Sequence, residues 1–426
     1  MLKVIDLRNK NSASFRIATE QSKNISIENI VSNILIRVRK DGDKALRFYT
    51  SKFDKVDIQS FAVSEKEIGI VTANAEKKFV GILNEAALNI KTFHSAQIRK
   101  PFSLRGKNTA LLQQLYRPIE KVGVYIPGGK AAYPSTVLMN VIPALVAGVK
   151  EIHLVTPPDK YGNVHRDVLL AASLLGVKHI YRIGGAQAIA ALAYGTETIP
   201  SVDKIVGPGN IFVATAKKMV FGTVGIDSFA GPSEVVILAD SSADPTFVAS
   251  DLLAQAEHDE RAIPILVTSS SALAIKVNKE VNRLLAGLAR KNILQVALRN
   301  HGRIYLVGSI KQGIDVANKI APEHLEIITT NDKAILDKII NAGSIFLGNS
   351  SPVAIGDYFA GPNHVLPTGR TARFSSPLSV DDFMKKSSVV RYTQKGIRNT
   401  AEQAALFADR EGLTAHALSL RLRMRK

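Results

Sequence analysis

Between residues 15 and 120, apolar side chains recur every three to four positions among many lysines, as in 27–38 and 65–93, and this spacing predicts mostly helix. The rhythm changes at Lys121. Short β-branched runs at 122–126, 151–155 and 179–183 alternate there with Ala-rich helical stretches at 136–147 and 168–175. Alternation at these lengths predicts a parallel sheet covered on both faces. A second series follows, with strands at 234–238, 263–267, 303–306 and 326–328, a helix opening at Pro245 and a long helix at 272–288. Gly231-Pro232-Ser233 marks the junction between the two. After about residue 368 the chain turns polar, then helical over 400–407 and beyond Thr414, which reads as a C-terminal arm. The sequence displays no internal repeat and no low-complexity linker.

The 426 residues, 46% hydrophobic and 22% charged, suffice for two cores and exclude a disordered chain. The most apolar stretch, 136–149, is interrupted by Asn140 and Pro143 and falls short of the roughly 20 apolar residues a bilayer needs. Residues 1–10 alternate apolar and charged positions and lack the basic, apolar and small-residue zones of a leader, so a cytoplasmic location is expected. Cysteine is absent, which removes disulfides, thiolate ligands and thiol nucleophiles from the chemistry. A net charge of +18 raises the question of nucleic acid. The basic residues are scattered, however, with short clusters at 99–107, 290–303 and 421–426 and no interleaved aromatics. They predict a solvated surface, with neither nucleic acid nor membrane as partner.

Four polar segments are candidates for chemistry. In 243–258, Asp244 suits an N-cap and Pro245 the first helical position, and Asp251, Gln255 and His258 share one helix face by their spacing of four and three. Taken alone, such a strip is more often solvated surface than a metal site. Ala321-Pro322-Glu323-His324-Leu325-Glu326 sets acid beside imidazole between a helix and a strand, for catalysis or for capping. Ile355-Gly356-Asp357-Tyr358-Phe359-Ala360-Gly361-Pro362-Asn363-His364 is either backbone wrapped around a ligand or a run of turns. Glu411-Gly412-Leu413-Thr414-Ala415-His416 reads by itself as a helix start. Two further stretches, Ile183-Gly184-Gly185-Ala186-Gln187 and Gly207-Pro208-Gly209-Asn210, follow strands and suit a phosphate at a helix N-terminus. Neither is the G-x-G-x-x-G fingerprint, and no acidic residue sits convincingly about 20 positions on for a ribose, so the residues alone do not establish a dinucleotide site.

In order along the chain, Val124-Tyr125-Ile126-Pro127-Gly128-Gly129, Tyr133-Pro134-Ser135-Thr136, Gly184-Gly185-Ala186-Gln187-Ala188, Val206-Gly207-Pro208-Gly209-Asn210, Ala230-Gly231-Pro232-Ser233-Glu234, Ala254-Gln255-Ala256-Glu257-His258, Ala321-Pro322-Glu323-His324-Leu325, Gly361-Pro362-Asn363-His364-Val365-Leu366-Pro367 and Leu413-Thr414-Ala415-His416 form one set of phrases. With them the chain resembles the histidinol dehydrogenase family over nearly its whole length, most strongly from 122 to 416. The resemblance implies two Rossmann-like parallel-sheet α/β domains, aldehyde-dehydrogenase-like, with helical N- and C-terminal arms. It divides the chain into 1–121 with 234–370 (metal and catalytic residues), 122–233 (cofactor contacts) and a dimer arm, 371–426. Gln255, His258, Asp357 and His416 are then the zinc ligands, an oxygen and nitrogen set that suits Zn²⁺ or Mn²⁺. Glu323 and His324 are the acid–base pair. Ser233, His364 and Glu411 join His324 and the four ligands in binding L-histidinol, and Tyr125, Gln187 and Asn210 contact NAD. The expected state is a homodimer in which Glu411 and His416 complete the partner's site.

What the resemblance implies for the reaction is a four-electron oxidation through an aldehyde, with two NAD⁺ consumed and the metal as template. His324 is the candidate base, because imidazole titrates near neutral pH. Without a thiol to capture the aldehyde, water must be the nucleophile, and Glu323 is the natural group to activate it. Two other readings stay open at this stage: a zinc hydrolase using Glu323, and a basic nucleic-acid-binding protein whose binding would fall steeply with salt.

Overall fold

The computed structural model describes residues 2–10, 25–106, 110–128, 132–228 and 231–424. The helix expected over 15–24 and the motif residues Gly129 and Ala230 lie outside them. Both predicted α/β series form all-parallel sheets. The smaller has five strands, ordered His179–Arg182, Glu151–Thr156, Lys121–Tyr125, Lys204–Val206 and Gly225–Ile226. The larger has six: Lys3–Asp6, Arg303–Leu306, Ile263–Thr268, Glu234–Ala239, His324–Ile328 and Ser344–Leu347. If the strands of each series are counted in chain order, both sheets read third, second, first, fourth, fifth, and the larger adds Lys3–Asp6 at one edge. The repeat absent from the sequence is therefore present in the topology, because crossovers set strand order while side chains need only keep each face apolar. Glu234–Ala239 is buried along its entire length, as a central parallel strand covered on both faces must be.

Of the first 121 residues, only Lys3–Asp6 joins the larger sheet. The helices Ile25–Asp54, Glu65–Ala73 and Lys77–Ser95 pack instead on helices of the smaller sheet, so Val31, Leu46 and Ile90 sit in its cores. The grouping of 1–121 with 234–370 thus describes that strand and not those helices. A third, antiparallel sheet joins Met384–Arg391, Leu111–Pro118 and Phe102–Arg105. It corrects the helical reading of 102–118 and shows that the C-terminal arm includes a strand ahead of its helices. These strands are exposed or half-buried throughout, so they lack the in–out alternation from which a strand is read. The arm ends in two helices, Gln394–Arg410 and Thr414–Leu422, packed on each other through Ala405, Ala408 and Ala417.

Candidate active site

Glu234–Ala239 and His324–Ile328 are neighbours, with Val235 opposite His324, so the amino ends of the two strands bring Ser233 and Glu234 beside Glu323 and His324. The Glu323 carboxylate accepts the Glu234 backbone N–H at 2.8 Å. Reciprocally, the Glu234 carboxylate accepts the Glu323 N–H, and also that of Gly369 at 3.0 Å. Burial pushes both carboxyls up to about 7; Glu323 adds its charge to the effect on Glu234, and Asp357 adds its own to that on Glu323.

His324 stands between carboxylates. Its Nδ1 lies 3.1 Å from the Glu234 carbonyl oxygen and 3.6 Å from Glu323 Oε2, while Nε2 lies 3.8 Å from Asp357 Oδ1. At that last distance the contact is one of charge, and Nε2 has no hydrogen-bond partner. Burial alone would lower the imidazole pKa, but Glu323 and Asp357 outweigh it and hold His324 up at about 9. Beside His324, Asp357 and His364 opens a cavity of about 240 Å³, walled also by Phe346, Asn363 and Leu366.

Asp357 is carried by the short helix Val353–Tyr358, whose first amide donates to Glu326 Oε1 at 3.0 Å. Glu326 is hydrogen-bonded to Asp251 of the helix Pro245–Ala256, and burial drives the two up to about 8 and about 6. This acid pair therefore joins the elements that bear His324, Asp357 and Gln255. Burial works to raise Asp357, yet the charges of His324, His364 and His258 bring it below its ordinary value. His364 Nδ1 lies 3.0 Å from the Asp357 carbonyl oxygen, and its Nε2 lies 3.5 Å from Thr136 Oγ1. Asn363 fixes that turn, donating to the Met139 carbonyl at 2.6 Å and accepting Val365 N–H at 2.8 Å.

Asp244 caps its helix through Thr246 and Phe247 as expected, but the helix stops at Ala256. His258 is therefore not on the helix face with Asp251 and Gln255; it stands two residues further on, its N–H turned back to the Gln255 carbonyl. Its ring reaches solvent, although the surrounding protein still lowers its pKa against the pull of Asp357. Gln255 is buried, with Nε2 unpartnered. Glu411 and His416 are exposed on the C-terminal hairpin and do not line this cavity.

The smaller sheet presents a different end. Its strand order reverses between Lys121–Tyr125 and Lys204–Val206, and a crevice at the carboxyl ends of such a switch point is where open α/β sheets bind nucleotides. Tyr125 closes the first of these strands, and its hydroxyl accepts the Gly185 N–H at 3.1 Å. Gln187, one turn into the helix Gly185–Tyr194, is buried with Oε1 unpartnered. Gly207 follows the second strand with φ +107°, and a Cβ there would fall 2.2 Å from the Tyr125 carbonyl oxygen. Asn210 caps the helix Ile211–Val220 with its side-chain oxygen.

A sequence profile described as histidinol dehydrogenase matches residues 17–424. The chain belongs to the histidinol dehydrogenase family. It is 53% identical over 403 residues to the histidinol dehydrogenase of Clostridium acetobutylicum, covering 95% of this chain and 94% of that one. To the Bacillus subtilis enzyme it is 52% identical over 396 residues, 93% of each. The crystal structure of histidinol dehydrogenase from Elizabethkingia anophelis superposes with a TM-score of 0.93 at 39% identity, covering 100% of this chain and 98% of that one. With its family, the chain is an oxidoreductase of histidine biosynthesis. Of the residues the family resemblance singled out, one chain brings Ser233, Glu323, His324, Asp357 and His364 together, with Gln255 and His258 beside them and Tyr125, Gln187 and Asn210 at the second sheet. Glu234, Glu326 and Asn363 were named in those sequence segments but given no role. The signal for the first two was available: a carboxylate in a strand that is otherwise wholly apolar needs a partner.

Proposed function

We propose that the chain oxidises L-histidinol through bound L-histidinal to L-histidine, passing four electrons to two NAD⁺, as a cytoplasmic homodimer binding one Zn²⁺ per subunit. The observation that carries this reading is the His324 Nε2, unpartnered at a cavity wall and flanked by Glu323 and Asp357. His324 takes the hydroxyl proton as hydride leaves the carbinol carbon for NAD⁺, giving the aldehyde. Glu323 then takes a proton from water as the water oxygen bonds to the aldehyde carbon, and His324 returns its proton to the former carbonyl oxygen. This forms the hydrate, from which His324 removes a hydroxyl proton during the second hydride transfer. Ser233 and His364 line the substrate's place, and Tyr125, Gln187 and Asn210 meet NAD⁺ at the switch point, where Gly185 and Gly207 let backbone approach a ligand closely.

For the metal, the donor set fits in part within one chain. The Gln255 amide is buried with nothing in the chain fixing its nitrogen, and Asp357 feels the charge of His258. Among the described residues, no three His, Cys, Asp or Glu side chains of one chain converge on an ion. The proposed set is completed by His416 of a second copy. Zn²⁺ held by Gln255, His258, Asp357 and the second copy's His416 would orient the imidazole and amine of the substrate, and its charge at Asp357 would loosen the proton on His324. The arm that bears Glu411 and His416 exposes Val390, Phe407, Leu413 and Leu418, apolar surface of the kind that a dimer contact covers.

The deciding measurement is NADH formed per histidinol, before and after chelation. Two NADH per substrate, with activity lost to chelator and restored by Zn²⁺, is the expected result. A stoichiometry of one, with the aldehyde accumulating, would overturn the four-electron reading.

A further inference from the structure

Glu234 touches Glu323 and has no part in the reaction described above. The two residues form a reciprocal clasp in which each carboxylate accepts the other's backbone N–H. Glu234 Oε1 also holds Gly369, whereas Oε2 is buried without a partner. The titratable groups that face Glu234 are Glu323, from the turn before the neighbouring strand, and His324, on that strand; Asp357 lies beyond His324, and the 368–370 loop contributes the Gly369 N–H. Two buried carboxyls this close do not both ionise, since like charges at short range oppose each other. A partnerless buried oxygen costs far less as part of a neutral acid than as an anion.

We propose that Glu234 and Glu323 share a single proton and that Glu234 is the member that holds it, leaving Glu323 ionised to accept a proton from water. The inference rests on the reading of Glu323 as the water activator. Glu234 acts through Glu323 and does not touch the substrate, so it is a positioning residue. Burial and the neighbouring charge place its titration near 7, so the proton is present below that pH and lost as pH rises through it.

Two measurements test this on the full-length protein. Infrared difference spectra of wild type minus Glu234→Gln should show one protonated carboxyl near pH 6 that titrates away above about 7. Stopped-flow oxidation of added histidinal should then show Glu234→Gln, which keeps an acceptor for Gly369 and Glu323, about ten-fold faster than Glu234→Ala, which leaves both amides unpaired. The alkaline limb of its pH profile should be displaced from that of wild type. If the difference spectrum holds no carboxyl band, or the Glu234→Gln profile superimposes on the wild-type one, the proposal is wrong. Should Glu234→Ala fail to fold, the spectrum and the Gln profile still decide. If wild type does not oxidise histidinal, it is the reading of Glu323 that fails, while the infrared result still reports on the shared proton.

Discussion

Lys217→Met should destabilise the protein and loosen the crevice at the smaller sheet together. Lys217 and Asp227 form a buried ion pair, with side chains 2% and 4% exposed, and both grip Gly207. Asp227 accepts the Gly207 N–H at 2.8 Å, and Lys217 Nζ donates to the Gly207 carbonyl at 2.9 Å. Removing one member of such a pair strands the other's charge and costs about 3–5 kcal/mol. Asp227 keeps the amides of Gly207 and Ser228, which argues for the low end, and methionine fills the lysine stem, so no cavity opens. The expected loss is about 3 kcal/mol, or roughly 6–12 °C in Tm for a domain of this size. Adding Asp227→Asn removes the stranded charge while keeping an acceptor, so the double variant should recover at least about half of it. Thermal unfolding by circular dichroism measures the first effect. An NADH fluorescence titration measures the second, a weakening of about ten-fold as the loop that abuts Tyr125 shifts. A single variant within about 0.5 kcal/mol of wild type, or a double variant less stable than the single, would refute the reasoning.

Three further outcomes are expected. Glu326 titrates far above its ordinary value, so the folded state holds a proton that the unfolded chain gives up; stability should fall as pH rises from the usual carboxylate range through about 8. Glu326→Gln should flatten that fall, and Glu326→Ala, which frees the Val353 amide, should be less stable than Glu326→Gln by about 1–3 kcal/mol at every pH in denaturant titrations. Glu323→Gln should slow the oxidation of histidinal more than that of histidinol, by about 10²-fold or more, and single-turnover NADH traces would expose equal losses if Glu323 does not serve water. Inactive His416→Asn and Glu323→Gln proteins, unfolded and refolded together, should regain about a quarter of wild-type activity if each site draws His416 from the other copy; no recovery would place the whole site in one chain.

Much of this was legible because parallel strands buried on both faces read as apolar runs, and each strand that was expected falls within two residues of its place, whereas the edge strands Lys3–Asp6, Gly225–Ile226 and Ser344–Leu347 were not foreseen. The antiparallel sheet was hidden for the converse reason: with neither face of Leu111–Pro118 buried, hydrophobicity carries no period. Helical spacing found Gln255 but misplaced His258, since no pattern marks the turn that ends the helix at Ala256. His324 was expected in a loop, yet it opens the strand His324–Ile328, which is why it and Glu326 share a face. Its proton affinity was misjudged because two carboxyls act on it together, Glu323 beside it in sequence and Asp357, distant in the chain, which faces it from another element. The convergence on Glu323 is likewise a product of register, with Glu234 arriving from a strand 89 residues away.

Strand direction sorts the charges of the two ends. At the carboxyl ends of the smaller sheet the chain enters helices at Gly185 and Ile211, and helix N-termini carry partial positive charge that suits a dinucleotide's phosphates. The residues proposed for catalysis at the larger sheet stand at its amino ends, the opposite of where such sheets commonly bind ligands. Helices arrive there by their C-termini, at Ala256 and Ile320, which carry partial negative charge. Glu234, Glu323 and Asp357 add carboxyls to the same end. An environment of this kind holds a proton on His324 and favours cations, whether a metal ion or an ammonium group on a substrate. On the proposed function, the amine of an amino alcohol and the phosphates of its oxidant would be drawn to opposite kinds of sheet edge, so that neither competes for the place of the other.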